Sequence, residues 1–371
     1  MNIMKLEAAS VLVLGGGKSG VSAVKFLLKK NALVMLYDGC AEKKPVYEEL
    51  AAAGCTFALG EVPDLAKHAF DFAVISPGIP LTDPCAAALA KRNIPIWGEL
   101  ELASRFITKP IIGITGTNGK TTTTTLIGEI LKNAGFRTFV GGNIGIPLLD
   151  SLEVEYDYYV VEMSSFQLET IATMNAAVSL FLNLTPDHLN RHGSMEGYLA
   201  AKANLCTHQS KDHYTVLNYD DAYMRSLRDI AGGEVFWFTQ KDFVYAGTSV
   251  LDNGDLVFND VQREPKADIV MNAADIRLPG PHNLENCMGA ITVTKLLGIQ
   301  DDVIAKTLAE FAGVEHRLED VMTYKGCVTS TTPKPPIPIL YSRLWLPMAM
   351  PRLFSLPAAA TRAITSMPWA S

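Results

Sequence analysis

Pro110-Ile-Ile-Gly-Ile-Thr-Gly-Thr-Asn-Gly-Lys-Thr-Thr122 is the stretch on which the reading of this chain turns. The short apolar run Pro110–Ile114 reads as a buried strand, and the spacing of Leu126, Ile130 and Leu131 reads as the helix that follows. Between them, Gly116-Thr117-Asn118-Gly119-Lys120-Thr121-Thr122 is a glycine turn whose backbone N–H groups suit the oxygens of a phosphate chain. Lys120 then reaches the β and γ phosphates of ATP, and the Thr121 hydroxyl suits Mg²⁺. The loop departs from the strict P-loop expression, because its earlier glycine is Gly113 and position 114 is Ile114. A glycine turn without a ligand is the plainer alternative.

Upstream, the run Val11–Leu14 leads into Gly15-Gly-Gly-Lys-Ser-Gly20 and a helical pattern through Val21, Val24 and Leu27. A second strand, Leu33–Tyr37, ends at Asp38, and a third, Phe72–Ile75, enters the proline- and glycine-stiffened loop Ser76-Pro77-Gly78-Ile-Pro80. Gly15, Gly17 and Gly20, with Ser19 between them and Asp38 beyond, fit the dinucleotide fingerprint. NAD is one of several ligands that such a turn holds, and a tight strand–helix turn is the alternative without a ligand.

Downstream, Glu162 closes the strand Tyr158–Val161, where a carboxylate faces phosphates bound at the strand ends. His188 follows the strand Val178–Leu182, Lys202 lies in the helical Ala200-Ala-Lys-Ala203, and a further helix begins around His282. Taken singly these three are an ordinary glutamate, a structural histidine and a solvated lysine. Strands alternating with helices predict an α/β chain with a mostly parallel sheet in each half. The expected division is 1–96, 97–312 and 313–371.

Composition narrows the function classes. The 371 residues are 48% hydrophobic and 19% charged, without an apolar run long enough to span a bilayer. A net charge of −7 removes the electrostatic footprint of a general nucleic-acid binder. Six scattered cysteines without zinc spacing suit a reducing cytoplasm and a packing role. After Cys327 the character changes: the last 44 residues contain eight prolines and neither glycine nor an acidic residue.

Read together, several segments resemble the ATP-dependent Mur ligases of peptidoglycan synthesis over about residues 10–327. They are Gly116–Thr121, Gly142-Asn143-Ile-Gly145, Glu162-Met-Ser-Ser-Phe-Gln-Leu-Glu169, Asn183-Leu-Thr-Pro-Asp-His188, Tyr198-Leu-Ala-Ala-Lys202, Gly280–Asn283 with Asn286, and His316-Arg317. Within that family, the first loop, Ser76–Gly78 and the Ser164–Glu169 stretch resemble the branch that adds D-glutamate to UDP-N-acetylmuramoyl-L-alanine. Folylpolyglutamate synthases share the central loop but not the Gly15–Gly20 domain, and the NAD reading is demoted.

The resemblance implies an N-terminal Rossmann-like domain, a central P-loop ATPase domain and a third Rossmann-like domain that holds D-glutamate. It assigns Lys120 to the phosphates, Thr121 and Glu162 to one Mg²⁺, and His188 with a CO₂-carbamylated Lys202 to a second. It puts Asn143, Ser164 and Gln167 around the muramoyl-alanine end. Asn283, Asn286 and Arg317 fall on the ATP side, and Gly15, Gly17, Ser19, Gly20, Asp38 and Ser76–Gly78 on the UDP end. A monomer with small-molecule substrates is expected, serving cell-wall biogenesis, cell shape and division.

The family's third domain carries Asn-Asp-Ser-Lys-Ala-Thr-Asn and Gly-Gly-Arg-Asp-Lys-Gly, and neither occurs here. Yet Thr329–Ile337, written with suitable synonymous codons and read two bases on, becomes Ile-Asn-Asp-Ser-Lys-Ala-Thr-Asn. The same shift turns Leu353–Ala363 into Ile-Leu-Ile-Ala-Gly-Gly-Arg-Asp-Lys-Gly. A frameshift near codons 326–329 is therefore expected, making residues 328–371 an unselected tail and the chain a poor or inactive ligase, or a silent nucleotide- or UDP-sugar-binding remnant. Sequencing the coding DNA should reveal both motifs in the alternative frame; a frame without them rejects the shift.

Overall fold

The structure is a computed structural model that describes residues 5–42, 44–261, 263–314, 319–324 and 327–331. Five short strands form the first sheet: β1 (Ser10–Leu14), β2 (Leu33–Asp38), β3 (Thr56–Leu59), β4 (Phe72–Ile75) and β5 (Ile96–Gly98). All pairs are parallel, in the order β3-β2-β1-β4-β5. The central β1 and β4 are buried along nearly their whole length, which is why they read as unbroken apolar runs rather than as alternating ones.

The second sheet has nine strands: β6 (Ile111–Thr115), β7 (Thr138–Gly142), β8 (Tyr158–Glu162), β9 (Val178–Phe181), β10 (Tyr214–Asn218), β11 (Glu234–Thr239), β12 (Ala246–Val250), β13 (Asp255–Asp260) and β14 (Glu264–Asn272). The order is β14-β13-β12-β11-β10-β9-β6-β8-β7, with β13 antiparallel to both β12 and β14 and every other pair parallel. Helices Lys120–Asn133 and Pro281–Leu296 cover one face through Leu126, Ile130, Met288 and Ile291. The helix Met195–Thr207 packs on the other face, and it sits close: a Cβ on Gly113 of β6 would stand 2.6 Å from Leu205 Cδ1. Gly113 thus serves packing on the strand and lies outside the glycine turn Gly116–Gly119.

In each sheet the strand order reverses at one place. β1 lies between β2 and β4, and β6 lies between β8 and β9. The loops leaving the carboxyl ends of these strands diverge to opposite faces, which opens a crevice in each sheet.

The helix Glu99–Ser104 straps the sheets together with two buried carboxylates. Glu101 Oε2 accepts from the backbone N–H groups of Ala172, Thr173 and Met174, each at 3.0 Å, while Oε1 pairs with Arg105 at 2.7 Å. Glu99 accepts from Leu149 N at 2.6 Å, and Ser22 bonds Asp150. One apolar cluster runs through Val24, Leu27, Leu100, Leu102, Leu148 and Met163.

The chain divides after Val314 into two units. In the second, the strands Glu319–Tyr324 and Cys327–Thr331 pair antiparallel. Arg317 and residues 332–371 of the expected tail lie outside the described residues. Cys55, Cys85, Cys206 and Cys287 are buried, with burial pushing the Cys206 and Cys287 thiols up to about 12, as suits packing groups. Among the described residues no helix is long and apolar enough to cross a membrane.

Burial, outweighing the bond from Leu149, lifts the Glu99 carboxyl from 4.5 to about 7. The folded chain then holds a proton that the unfolded chain releases, so the stability tied to this group is full below pH 4.5 and is lost as pH rises to about 7. Over that window Glu99→Gln should remove roughly 3 kcal/mol of the pH-dependent fall. Urea midpoints across the window for both chains check this; parallel curves contradict it.

Candidate functional site

The crevice of the first sheet is a cavity of about 430 Å³ lined by Gly15, Gly17, Ser19, Asp38, Ser76, Pro77 and Gly78, with Lys18 and Lys44 beside them. Gly20 stands behind the loop, where a Cβ would lie 1.8 Å from the Gly15 carbonyl, so the helix Lys18–Lys29 packs directly on the turn. Asp38 Oδ2 accepts from Tyr47 Oη at 2.6 Å, Lys44 Nζ at 2.9 Å and Gly16 N at 3.1 Å. Burial works to raise this carboxyl, but the Tyr47, Lys44 and Cys40 hydrogen bonds outweigh it and hold it at about 2. Asp38 is therefore tied to the glycine turn itself. Lys18 Nζ crosses to donate to the Gly145 carbonyl on the loop after β7.

A second cavity, about 240 Å³, opens above β6. Its lining includes Thr117, Lys120, Asn143, Ser164, His188 and Lys202, together with Pro77 and Gly78 from the first sheet. The turn after β6 is pinned to the loop after β9: Asn118 N donates to Asn183 Oδ1 at 2.8 Å and Thr185 N donates to Thr117 Oγ1 at 3.0 Å. Lys120 Nζ donates to the Gly116 and Thr117 carbonyls, both at 2.9 Å, which turns those carbonyls inward. The helix Lys120–Asn133 begins here with no acidic residue in its own first turn, and the carboxylate at its positive end is Glu162, which Thr121 contacts.

Glu162, 2% exposed, is held by two neutral donors: Thr121 Oγ1 reaches Oε2 at 2.8 Å, and Asn143 Nδ2 reaches Oε1 at 2.9 Å. A buried carboxylate beside a hydroxyl is an oxygen donor pair of the kind Mg²⁺ takes. Lys202 is 1% exposed and donates to Gly116 O at 3.0 Å. Burial first, and the Lys120 charge second, push its amine down to about 7. An amine does not suit a Mg²⁺ site; its carbamate would, being an oxygen anion. His188 takes the left-handed conformation, φ 52°, with its ring 4.8 Å from Phe166.

Thr121, Glu162 and the remaining sequence-selected residues other than Ser164 lie behind this surface. Ser164 and Gln167 form a capping box on the helix Ser165–Leu168, so the Gln167 amide faces the Ser164 backbone and lines neither cavity. Asn286 bonds Asn283 at 3.3 Å and packs on Gly119. Thr122 follows Thr121 on the helix. The sequence reading passed over Asp187, Tyr198 and Phe166 as site residues, yet all three line the second cavity. Tyr198 and Lys202 are four apart on one helix, a spacing that places them on one face, and the Lys202 amine lies 4.6 Å from the Tyr198 ring centroid.

The chain is similar to known proteins over both sheets. Residues 114–294 match the Mur ligase middle domain, and residues 9–98 match the N-terminal domain of Mur ligases of the MurD-like type. The chain is 44% identical over 324 residues to UDP-N-acetylmuramoylalanine--D-glutamate ligase of Pelotomaculum thermopropionicum, covering 85% of this chain and 70% of that one. It is 42% identical to the ligase of the same name from Clostridioides difficile, covering 86% and 70%. Among solved structures, UDP-N-acetylmuramate:L-alanyl-gamma-D-glutamyl-meso-diaminopimelate ligase from Neisseria meningitides shares the fold, with a TM-score of 0.54 at 17% identity over 83% of this chain and 99% of that one.

Gly119 has φ 84°, and a Cβ there would stand 2.1 Å from Asn286 Oδ1. Gly119→Ala should cost about 1–3 kcal/mol of stability. Adding Asn286→Ala should restore part of it, as urea denaturation of the single and double variants will show; no recovery would assign the whole cost to the backbone.

Proposed function

The chain belongs to the Mur ligase family, and on that premise we propose that it is the D-glutamate-adding member, joining D-glutamate to UDP-N-acetylmuramoyl-L-alanine in the cytoplasmic phase of peptidoglycan synthesis. The observation that carries the reading is the second cavity. There Lys120, His188 and Lys202 meet, with Glu162 buried behind the wall and bonded to the lining residue Asn143, and the cavity shares the Pro77–Gly78 rim with the first.

In the reaction, a carboxylate oxygen of the muramoyl-alanine attacks the γ-phosphorus of ATP and ADP leaves. The D-glutamate amine then attacks the acyl phosphate carbon, phosphate leaves, and the nitrogen loses a proton. Lys120 supplies a positive charge to the phosphate chain, and the N–H groups of the turn and the helix start fix its direction. Thr121 and Glu162 would hold one Mg²⁺, and His188 with carbamylated Lys202 a second, ions that neutralise phosphate oxygens when bound. Carbamylation needs the neutral amine, and burial with the adjacent Lys120 charge favours that form of Lys202.

Asn143 and Ser164 line the space for the muramoyl-alanine end, with Gln167 setting the Ser164 backbone; Asn283 and Asn286, and Arg317 beyond the described part, belong to the ATP side. The first cavity, with Gly15, Gly17, Ser19, Asp38 and Ser76–Gly78 on its wall and Gly20 behind, takes the UDP end. We assign residues 1–96 to the UDP domain, 97–312 to the ATP domain and 313–371 to the start of a third, in a monomer. One observation favours a second reading, a nucleotide- or UDP-sugar-binding chain without turnover: residues 328–371 carry neither third-domain motif.

Phosphate release that requires both UDP-N-acetylmuramoyl-L-alanine and D-glutamate supports the ligase, whereas binding without release supports the second reading. In either case Lys120→Ala should weaken Mg²⁺-dependent ATP binding by at least about tenfold, since a charge-assisted contact contributes on the order of 1.5–3 kcal/mol. Equal ATP affinity of the two chains, measured by calorimetry, would remove the basis of both.

A further inference from the structure

Arg191 is absent from every role assigned above, yet it joins three parts of the site. Its guanidinium forms a fork with Glu169, Nη2 to Oε2 at 2.6 Å and Nε to Oε1 at 3.2 Å. Two more hydrogens go to the loop after β4: Nη1 donates to the Pro77 carbonyl at 3.1 Å and Nη2 to the Ile79 carbonyl at 3.2 Å. The planar group lies 4.6 Å from the Phe166 ring centroid. Both charged side chains are largely withdrawn from water, 13% and 17% exposed. In that setting a bidentate pair is held in one geometry, and loss of Glu169 leaves Arg191 without a counter-charge, whereas loss of Arg191 leaves Glu169 only His192 Nδ1, 3.3 Å away.

The position of the two carbonyls matters more than the ion pair. They flank Gly78, and Pro77 and Gly78 are the residues that line both cavities. The same loop is fixed at its other end, where Ser76 Oγ donates to the Gly15 carbonyl at 3.1 Å. On the central side, Glu169 ends the helix that Ser164 caps, and Arg191 follows His188 by three residues on the turn Leu189–His192. Arg191 thus clamps the rim between the cavities to the two segments that supply Ser164 and His188 to the second cavity.

We propose that Arg191, through Glu169 and the Pro77 and Ile79 carbonyls, is a positioning residue that makes occupancy of the two cavities mutually dependent. The inference rests on the ligase reading, in which one substrate spans both cavities across this rim. A ligand that orders the rim from the first cavity also orders the His188 and Ser164 segments through the fork, and by reciprocity a ligand in the second cavity favours binding in the first.

Calorimetric titration of the full-length chain with UDP, alone and with Mg²⁺ and ATP present, tests this. The unaltered chain should bind UDP at least about fivefold more tightly when Mg²⁺ and ATP are present. Arg191→Lys keeps the charge without the fork, and Glu169→Gln keeps Arg191 without its anchor. Each should bind either ligand alone within about threefold of the unaltered affinity while the enhancement falls below about twofold. Variants that retain the full enhancement overturn the proposal. So do variants that lose UDP binding outright with unchanged thermal unfolding, because Arg191 would then contact the ligand. An unaltered chain that binds both ligands independently overturns it alone, and one that binds neither overturns the ligase reading as well.

Discussion

One carbonyl oxygen, that of Gly116, accepts from two lysines: Lys120 Nζ at 2.9 Å and Lys202 Nζ at 3.0 Å. This shared acceptor orients the glycine turn, because it draws the carbonyl side inward, while the Thr117 and Asn118 N–H groups are taken up by Asn183. It also brings two amines so close that they cannot both hold a proton at no cost. Lys202, the more buried of the two, is the one pushed down to about 7. The approach that allows this is set on the strand below, where Gly113 admits the helix bearing Lys202. Electrostatics at the site and packing behind it therefore depend on the same few ångströms.

The two sheets act as one because carboxylates, rather than apolar contacts alone, join them. Glu101 satisfies three backbone N–H groups of the segment after the Ser165–Leu168 helix, a strong arrangement for an ionised acid. Glu99, a short step away on the same helix, is fully buried with fewer donors, the Leu148 and Leu149 backbone and no cation, and stays closer to neutral. Two acids on one turn thus carry different protonation because they meet different numbers of donors. The strap fixes the first cavity relative to the second, which a substrate long enough to reach both requires.

Most of the parallel framework was legible in the sequence. Strands buried on both faces are apolar throughout, so Val11–Leu14, Phe72–Ile75, Ile111–Ile114 and Tyr158–Val161 announced themselves, and glycines marked the turns that follow them. The antiparallel extension of the second sheet was not read. Its Asn253-Gly254 turn, with Gly254 at φ 87°, was the available signal. Gln167 was expected against substrate, but its amide is turned to the Ser164 backbone by a capping box, a bond that the spacing Ser164-x-x-Gln167 itself permits.

By itself the sequence determined the glycine turn after β6, the family, and that Glu162 closes a strand while His188 lies in the loop after the next, because these depend on local spacing along the chain. Only the tertiary structure decided that Asp38 is taken up by Tyr47, Lys44 and Gly16, that Lys202 is buried beside Lys120, and that Arg191 holds a loop more than a hundred residues away. Those outcomes are set by which donors and charges come within hydrogen-bonding distance once the strand order reverses at β1 and β6, and no spacing along the chain encodes that distance.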